Sequence, residues 1–173
     1  MLAIVIAAIL LVVAGYIVLS TGIIKPAPTT YGIAVGDLNS DGLLDAFYAN
    51  GQNEGPQPNT VLLNQGGGKL IDSGQRLGKE ESRRVTLADL DGDGDLDAAV
   101  VIQESNSRGY HLEIWLNDGQ GSFTKSSQTF AHSRTQAFAL GDLNGDGRLD
   151  ILAGWFPDGY AIWWNQDGGK FTH

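Results

Sequence analysis

Two short phrases recur three times in register along this chain of 173 residues. The first reads GDLNSDGLLD, ADLDGDGDLD and GDLNGDGRLD, and its first aspartates, Asp37, Asp89 and Asp142, lie 52 and 53 residues apart. The second places an asparagine six residues before an apolar residue, in the pairs Asn64 and Leu70, Asn117 and Phe123, and Asn165 and Phe171. A fixed period of this length predicts a fold that uses one supersecondary unit per repeat.

Each repeat has the pattern of four short strands. In the second repeat the predicted strands are Arg84–Leu90, Leu96–Ile102, His111–Leu116 and Ser122–Phe130. Their β-branched and aromatic residues favour strands, and the glycines of the second phrase tolerate the positive φ of a hairpin. Four antiparallel strands in about 50 residues is the size of one propeller blade. The sequence therefore predicts an all-β domain over residues 31–173, with three four-stranded propeller-type blades.

An uncharged apolar run precedes the repeats. Residues Leu2–Leu19 carry no charge, and the first charged side chain is Lys25. A helix of this length covers most of a hydrocarbon core of about 30 Å. We therefore expect one long N-terminal hydrophobic α-helix over residues 1–24, followed by a Pro/Thr linker at residues 25–30.

Three interpretations of this predicted helix are open. A secretory signal peptide usually begins with basic residues, and none precedes the apolar run. A membrane anchor fits the length, with Lys25 just outside the bilayer. The segment also resembles the mature N-terminus of type IV pilin-like and archaeal-flagellin-like subunits, although Val5 stands where bacterial members usually have glutamate. That resemblance implies a helix that packs against copies of itself in a filament core.

The first phrase contains an acidic pattern, D-x-[DN]-x-D-G-x-x-D. Oxygen-bearing side chains at alternate positions, with glycine at the sixth, let a loop wrap a hard cation that takes six to eight oxygen ligands. The backbone carbonyl at the seventh position would complete the coordination. The candidate metal ligands are Asp37, Asn39, Asp41, Leu43, Asp45, Asp89, Asp91, Asp93, Asp95, Asp97, Asp142, Asn144, Asp146, Arg148 and Asp150.

Acidic glycine-rich clusters also occur as plain turns. Five aspartates among the nine residues 89–97, however, repel one another and need a counter-charge. Magnesium is disfavoured because it prefers to keep its own waters. We therefore predict three Ca²⁺ sites, one in each repeat.

The acidic phrase resembles the FG-GAP or VCBS repeats of calcium-binding β-propellers, which include integrin α-subunit heads and many secreted microbial proteins. The resemblance covers residues 31–173. It implies calcium in the loop between the first two strands of each blade, held by the side chains at the first, third, fifth and ninth positions of each acidic pattern. It also implies an extracellular or cell-surface location. Propellers have at least four blades, whereas this chain has three repeats.

Composition and motifs exclude several classes of function. The chain has no cysteine, which excludes disulfides and thiolate metal sites, and its net charge of −9 argues against binding nucleic acid. The histidines, His111, His132 and His173, lie in no nucleophile or zinc motif. We therefore expect that the protein is not an enzyme.

The predicted function is a structural subunit of an extracellular, pilus-like filament. The N-terminal helix would assemble it with copies of itself, with the membrane as its location before assembly, and the propeller-like domain would be displayed outside. The alternative is a membrane-anchored, calcium-dependent adhesion or glycan-binding module with cell-surface glycans or proteins as partners. Trp115 and Trp163 occupy equivalent strand positions and are predicted core residues, whereas Trp155 is the candidate for an exposed contact.

Overall fold

A computed structural model describes residues 11–13, 16–19, 22–24, 29–51, 57–103, 109–131, 135–155, 157 and 159–173. Within these residues the chain forms fifteen β-strands and no helix. Twelve of the strands make three four-stranded antiparallel sheets, and the first three strands make a smaller sheet.

The first three strands overturn the predicted N-terminal helix. They are β1 (Leu11–Val13), β2 (Tyr16–Leu19) and β3 (Gly22–Ile24), and they pair antiparallel in chain order. Val12 lies opposite Ile17, and Val18 lies opposite Ile23. The prediction of one long helix over residues 1–24 is therefore wrong, and the interpretations that require a continuous helix lose their basis.

Residue type explains this error. The apolar run has no polar side chain that would mark a period, so length alone favoured the helix, although its valines and isoleucines fit strands better. Residues 1–10 of the predicted helix and 25–28 of the predicted linker lie outside the described residues. In the part of the chain that the structure describes, no helix is long and apolar enough to cross a membrane.

The other three sheets, here called blades 1, 2 and 3, each use four consecutive strands. Blade 1 contains β4 (Thr29–Gly36), β5 (Asp45–Gly51), β6 (Thr60–Asn64) and β7 (Leu70–Asp72). Blade 2 contains β8 (Glu81–Ala88), β9 (Asp97–Gln103), β10 (Tyr110–Asn117) and β11 (Phe123–Ala131). Blade 3 contains β12 (Thr135–Gly141), β13 (Asp150–Trp155), β14 (Gly159–Asn165) and β15 (Phe171–Thr172). The three four-stranded units predicted from the repeats are confirmed.

The repeats share an irregularity as well as their strands. The register between the first two strands shifts after Thr30 in blade 1, after Ser82 in blade 2 and after Thr135 in blade 3. Each of these residues lies six positions before the end of its strand. Because a bulge bends a strand and increases its twist, the same local shape is built into all three blades.

The apolar core lies between neighbouring blades. Phe47 and Val61 of blade 1 cluster with Val100 and Trp115 of blade 2, which confirms Trp115 as a core residue. On the other side of blade 2, apolar side chains cluster with blade 3, and the Phe130 ring meets the Trp163 ring edge to face at 5.8 Å. Alternate residues of a strand point to opposite faces, so blade 2 buries apolar side chains on both.

Candidate metal centre

The candidate ligands lie in three equivalent loops. Loop 1 (residues 37–44), loop 2 (residues 89–96) and loop 3 (residues 142–149) each join the first strand of a blade to the second. Each loop is followed by an aspartate that begins the second strand: Asp45, Asp97 or Asp150. This is the location that the sequence predicts for a cation site.

The first aspartate of each loop organises the turn. The Asp89 carboxylate accepts hydrogen bonds from the amides of Gly92 at 2.7 Å and Gly94 at 3.1 Å. Asp142 accepts the equivalent bonds in loop 3, and the amide of Gly147, followed by those of its neighbours, holds the pKa of Asp142 below its ordinary value. These bonds curl the loop backbone around one carboxylate.

The backbone of the loop has two left-handed positions. In loop 2 these are Gly92 and Gly94, with φ of +83° and +95°. Sequence reasoning identified the sixth position and missed the fourth, although two of the three repeats have glycine there. Loop 1 has Ser40 at the fourth position, with φ of +59°, a conformation that glycine adopts at lower cost.

The aspartate after each loop has a carboxylate that accepts two backbone hydrogen bonds. The Asp97 carboxylate has no exposed surface, and it accepts the amides of Leu90 at 2.9 Å and Asn117 at 2.8 Å. Asp45 and Asp150 each accept the same pair of bonds in their own blades. Burial raises the pKa of Asp97 to about 6, with a smaller contribution from the charges of the neighbouring aspartates. These two hydrogen bonds connect the loop to the third strand of its blade.

Loop 2 brings three carboxylates together. One oxygen each from Asp89, Asp91 and Asp97 lies within 4.8 Å of the others. Burial, followed by the negative charges of neighbouring aspartates, raises the pKa of Asp91. The donor set contains oxygen and neither nitrogen nor sulfur, so it fits a hard cation. A bound cation would also offset the repulsion between carboxylates that adds to the effect of burial on the pKa values of Asp91 and Asp97.

Loops 1 and 3 place their candidate ligands differently. The third residue is asparagine in both, and its side-chain amide donates to the aspartate two positions later, in Asn39 to Asp41 and in Asn144 to Asp146, each at 3.0 Å. In loop 3 the Arg148 guanidinium also donates to Asp146 at 2.5 Å. Both loops therefore carry less net negative charge than loop 2, and loop 2 is the best-formed candidate site.

The seventh-position residues were predicted to supply backbone carbonyls. The structure shows their amides, which donate to the fifth-position carboxylate at 2.8 to 2.9 Å in Leu43, Asp95 and Arg148. Coordination by their carbonyls stays a prediction.

Sequence reasoning missed the role of the recurring asparagine. The Asn117 side chain donates to Leu38 O of blade 1 at 2.9 Å and to Leu96 O of its own blade at 3.2 Å. Asn165 repeats this arrangement one blade later, with Leu90 O and Leu149 O as acceptors. The signal was present, because the asparagine recurs in register with the acidic loops. Each of these two asparagines therefore links its blade to the preceding blade by a hydrogen bond.

A glutamine makes a second inter-blade link. The Gln75 side chain, which follows β7, accepts the Phe123 amide at 2.8 Å and donates to Gly121 O at 2.6 Å. Gln128 of blade 2 makes a corresponding pair of bonds to the Phe171 backbone of blade 3, at 3.0 and 2.8 Å. Neither glutamine lies in a repeated phrase, but the two are 53 residues apart, which is the spacing of the repeats, and sequence reasoning missed this signal.

Comparison with known proteins agrees with the repeat structure. Residues 37–100 and 89–153 each match the family model described as FG-GAP-like repeat, and together the matches span more than half of the chain. No curated protein matches the chain. The predicted resemblance to FG-GAP repeats is confirmed, whereas the resemblances to VCBS repeats and to pilin-like subunits gain no support.

Proposed function

The chain belongs to the FG-GAP-like repeat family, and on this premise we propose that it is a calcium-stabilised, non-enzymatic β-propeller-like module of an extracellular or cell-surface protein. The observation that carries the proposal is the convergence of Asp89, Asp91 and Asp97 in loop 2. In the proposed site their carboxylates, the Asp93 side chain and the Asp95 carbonyl would supply at least five of the six to eight oxygens that Ca²⁺ takes.

Calcium in loop 2 would stabilise more than the loop itself. Asp97, one of the proposed ligands, also accepts the amide of Asn117, and the Asn117 side chain donates to Leu38 O of blade 1. An ion that orders Asp97 therefore acts on a residue that links two blades. Residues in this outer layer orient the ligands themselves, so metal binding and blade stacking are expected to be coupled.

Thermal unfolding with calcium or with chelator tests this proposal. At a free calcium concentration about 100 times the dissociation constant, each independent site adds about 2.7 kcal/mol to the stability of the folded state. We expect a clear fall in Tm when calcium is removed from the full chain. An unchanged Tm would contradict the proposal.

A matched pair of variants tests whether the effect of calcium on Tm arises in loop 2. Asp93→Ala removes a proposed ligand, and Asp118→Ala removes an aspartate whose carboxylate accepts the Gln120 and Ser122 amides in a hairpin turn. Asp93→Ala should reduce the calcium-dependent rise in Tm, and Asp118→Ala should leave that rise intact. An equal calcium response in both variants would mean that loop 2 is an ordinary turn.

The absence of enzymatic activity is part of the proposal. The loop aspartates are used in backbone hydrogen bonds, and His111 lies in an ionic cluster, with its Nε2 atom 3.2 Å from Glu80 and 3.5 Å from Glu113. His111 and Lys125 keep the pKa of Glu113 below its ordinary value, although burial acts in the opposite direction. A carboxylate held as an anion in this way is suited to a structural ion cluster.

A groove between blades 2 and 3 favours a second candidate, a glycan-binding or adhesion module. The cavity has a volume of about 560 Å³, and its lining includes Arg84, Tyr110 and Phe138. Aromatic rings beside a cation and polar groups can stack on and hydrogen-bond to a sugar. A glycan array probed with the full chain, and repeated with Tyr110→Ala, tests this candidate. Equal binding by both proteins would exclude the groove.

A further inference from the structure

The two ends of the blade stack present apolar faces. We define the leading face as the outer side of blade 1 and the trailing face as the outer side of blade 3. The leading face is formed by Ile33, Val35, Leu44 and Leu62. The trailing face is formed by Leu143, Leu152, Tyr160, Ile162 and Trp164. Val35 is 63% exposed, Leu44 62% and Tyr160 72%, which is unusual for side chains of this size in a stacked sheet.

The leading face repeats a surface that is buried elsewhere in the molecule. The repeat register aligns its four residues with Val85, Leu87, Leu96 and Trp115 of blade 2, which pack against blade 1. It also aligns them with Phe138, Leu140, Leu149 and Trp163 of blade 3, which pack against blade 2. Blade 1 therefore carries the residues that receive a preceding blade.

The trailing face is the counterpart of this surface. Leu143 follows the first aspartate of its loop, as Leu38 and Leu90 do, and those two leucines are buried against the next blade. Leu143 is 46% exposed, whereas Leu38 is fully buried. Ile162 aligns in the same way with Val61 and Ile114, which are also buried in the inter-blade clusters.

The recurring asparagine and a turn glycine also show that blade 1 can receive a preceding blade. Asn117 and Asn165 donate to the preceding blade, whereas among the described residues Asn64 donates to Leu44 O of its own blade and to no other blade. A Cβ on Gly121 would lie 3.1 Å from Leu63 of the preceding blade, and a Cβ on the equivalent Gly68 would meet nothing within 4 Å. Blade 1 thus has both the amide donor and the small residue that fit against another blade.

We propose that a second copy of this chain covers both faces, with the trailing face of each copy packed against the leading face of the other. The contact continues the established inter-blade interface, so Asn64 would donate to the carbonyl of the partner's Leu143, as Asn117 donates to that of Leu38. Two copies supply six blades, which lies within the range of about four to eight for closed propellers, whereas three copies would supply nine. A head-to-tail contact used twice closes a ring.

This inference goes beyond calcium binding and rests only on the blade fold, so the two proposals can fail separately. The first test measures the mass of the full chain in solution by light scattering, with calcium and with chelator. Val35→Asp changes the leading face, Tyr160→Asp changes the trailing face, and Gln120→Asp in a blade 2 turn is the control. Since Val35 and Tyr160 are exposed within one copy, both variants should fold, which circular dichroism checks.

We expect dimers of the wild-type chain and of Gln120→Asp, with at least a tenfold weaker association for each face variant. A mixture of Val35→Asp and Tyr160→Asp retains one intact pair of faces, so it should recover dimers that neither variant forms alone. A monomeric wild-type chain, dimeric face variants, or a mixture that stays monomeric would each overturn the proposal. A mixture that stays monomeric would indicate that each face pairs with the same face of another copy, or that another segment of the chain covers both faces.

The second test is a cross-link. A Cβ on Gly36 would lie 2.5 Å from the Leu96 side chain of the next blade, and the equivalent pair at the proposed interface is Gly141 with the partner's Leu44. The chain has no cysteine, so the double variant Leu44→Cys with Gly141→Cys introduces the only two thiols. Mild oxidation should give a covalent dimer. A monomer with an internal disulfide, or no cross-link at all, would contradict the proposal.

Discussion

Replacement of Asn117 by alanine directly tests the hydrogen bond between blades 1 and 2. The change removes the donor from two carbonyls, Leu38 O at 2.9 Å and Leu96 O at 3.2 Å. Each buried acceptor left without a partner costs about 1–3 kcal/mol, which gives roughly 2–6 kcal/mol for both. The Asn117 Oδ1 atom is buried without a hydrogen-bond partner, so its removal returns about 1–3 kcal/mol of that cost. We therefore expect a net loss of about 1–3 kcal/mol.

Asn64→Ala is the matched control, because Asn64 occupies the same position in blade 1. Its side chain is half-buried, donates to Leu44 O at 3.0 Å and accepts the Gly66 amide at 2.9 Å. Water can replace these bonds, so we expect a loss of about 1 kcal/mol or less. Both substitutions are to be made in the Val35→Asp background, so that pairing of the leading face does not add to the effect of Asn64.

Urea unfolding followed by circular dichroism is the assay. With a slope of about 2 kcal/mol per molar urea, a loss near the middle of this range, about 2 kcal/mol, lowers the midpoint by about 1 M. The Asn64 variant should shift the midpoint by less than half of that amount. Equal shifts for the two variants, or a smaller shift for Asn117→Ala, would refute the idea that the asparagine acts between blades.

The loops and turns can be tested by two glycine exchanges and by a change of pH. Ser40→Gly should stabilise the protein by up to about 1 kcal/mol, because glycine adopts the left-handed backbone conformation of Ser40 at a lower cost in free energy. A lower Tm would show that the Ser40 side chain stabilises the fold by more than its backbone conformation destabilises it. Gly121→Ala should lower the Tm more than Gly68→Ala, because both have φ of +78° but the new Cβ meets Leu63 only at position 121; equal values would exclude that contact. The raised pKa of Asp97 means that, without calcium, the folded state binds more protons than the unfolded state between about pH 4 and 6, so its contribution to stability falls as the pH rises through this window. Because calcium needs the ionised carboxylate, the calcium-dependent rise in Tm should be larger at pH 7 than at pH 5, and a rise independent of pH would argue against Asp97 as a ligand.

The blades could be predicted because their signals are local and repeated. Strand periodicity, the acidic loops and the turn glycines each depend on residues a few positions apart, and three copies in register make chance agreement implausible. The predicted strands of the second repeat end within three residues of the observed ones. The three loops were placed correctly for the same reason, since a strand, a turn and a strand follow one another directly.

The N-terminal segment shows where local reasoning fails. An apolar run without a polar period is compatible with a buried helix and with strands, and pairing among the strands settles the choice. In the described residues β1, β2 and β3 pair with one another. Strand pairing depends on partners that a single segment does not reveal, so length was a poor guide here.

By itself, the sequence determined the number of blades, the order of their strands and the position of the three acidic loops, because each of these is encoded within one repeat. The tertiary structure decided what the repeats do to one another. Asn117 finds its acceptor 79 residues away at Leu38, and Gln75 meets Phe123 across 48 residues. It also decided that Val35 is exposed while its counterpart Leu87 is covered. Identical local patterns acquire different surroundings at the middle and at the ends of a stack, since burial depends on the neighbouring blade.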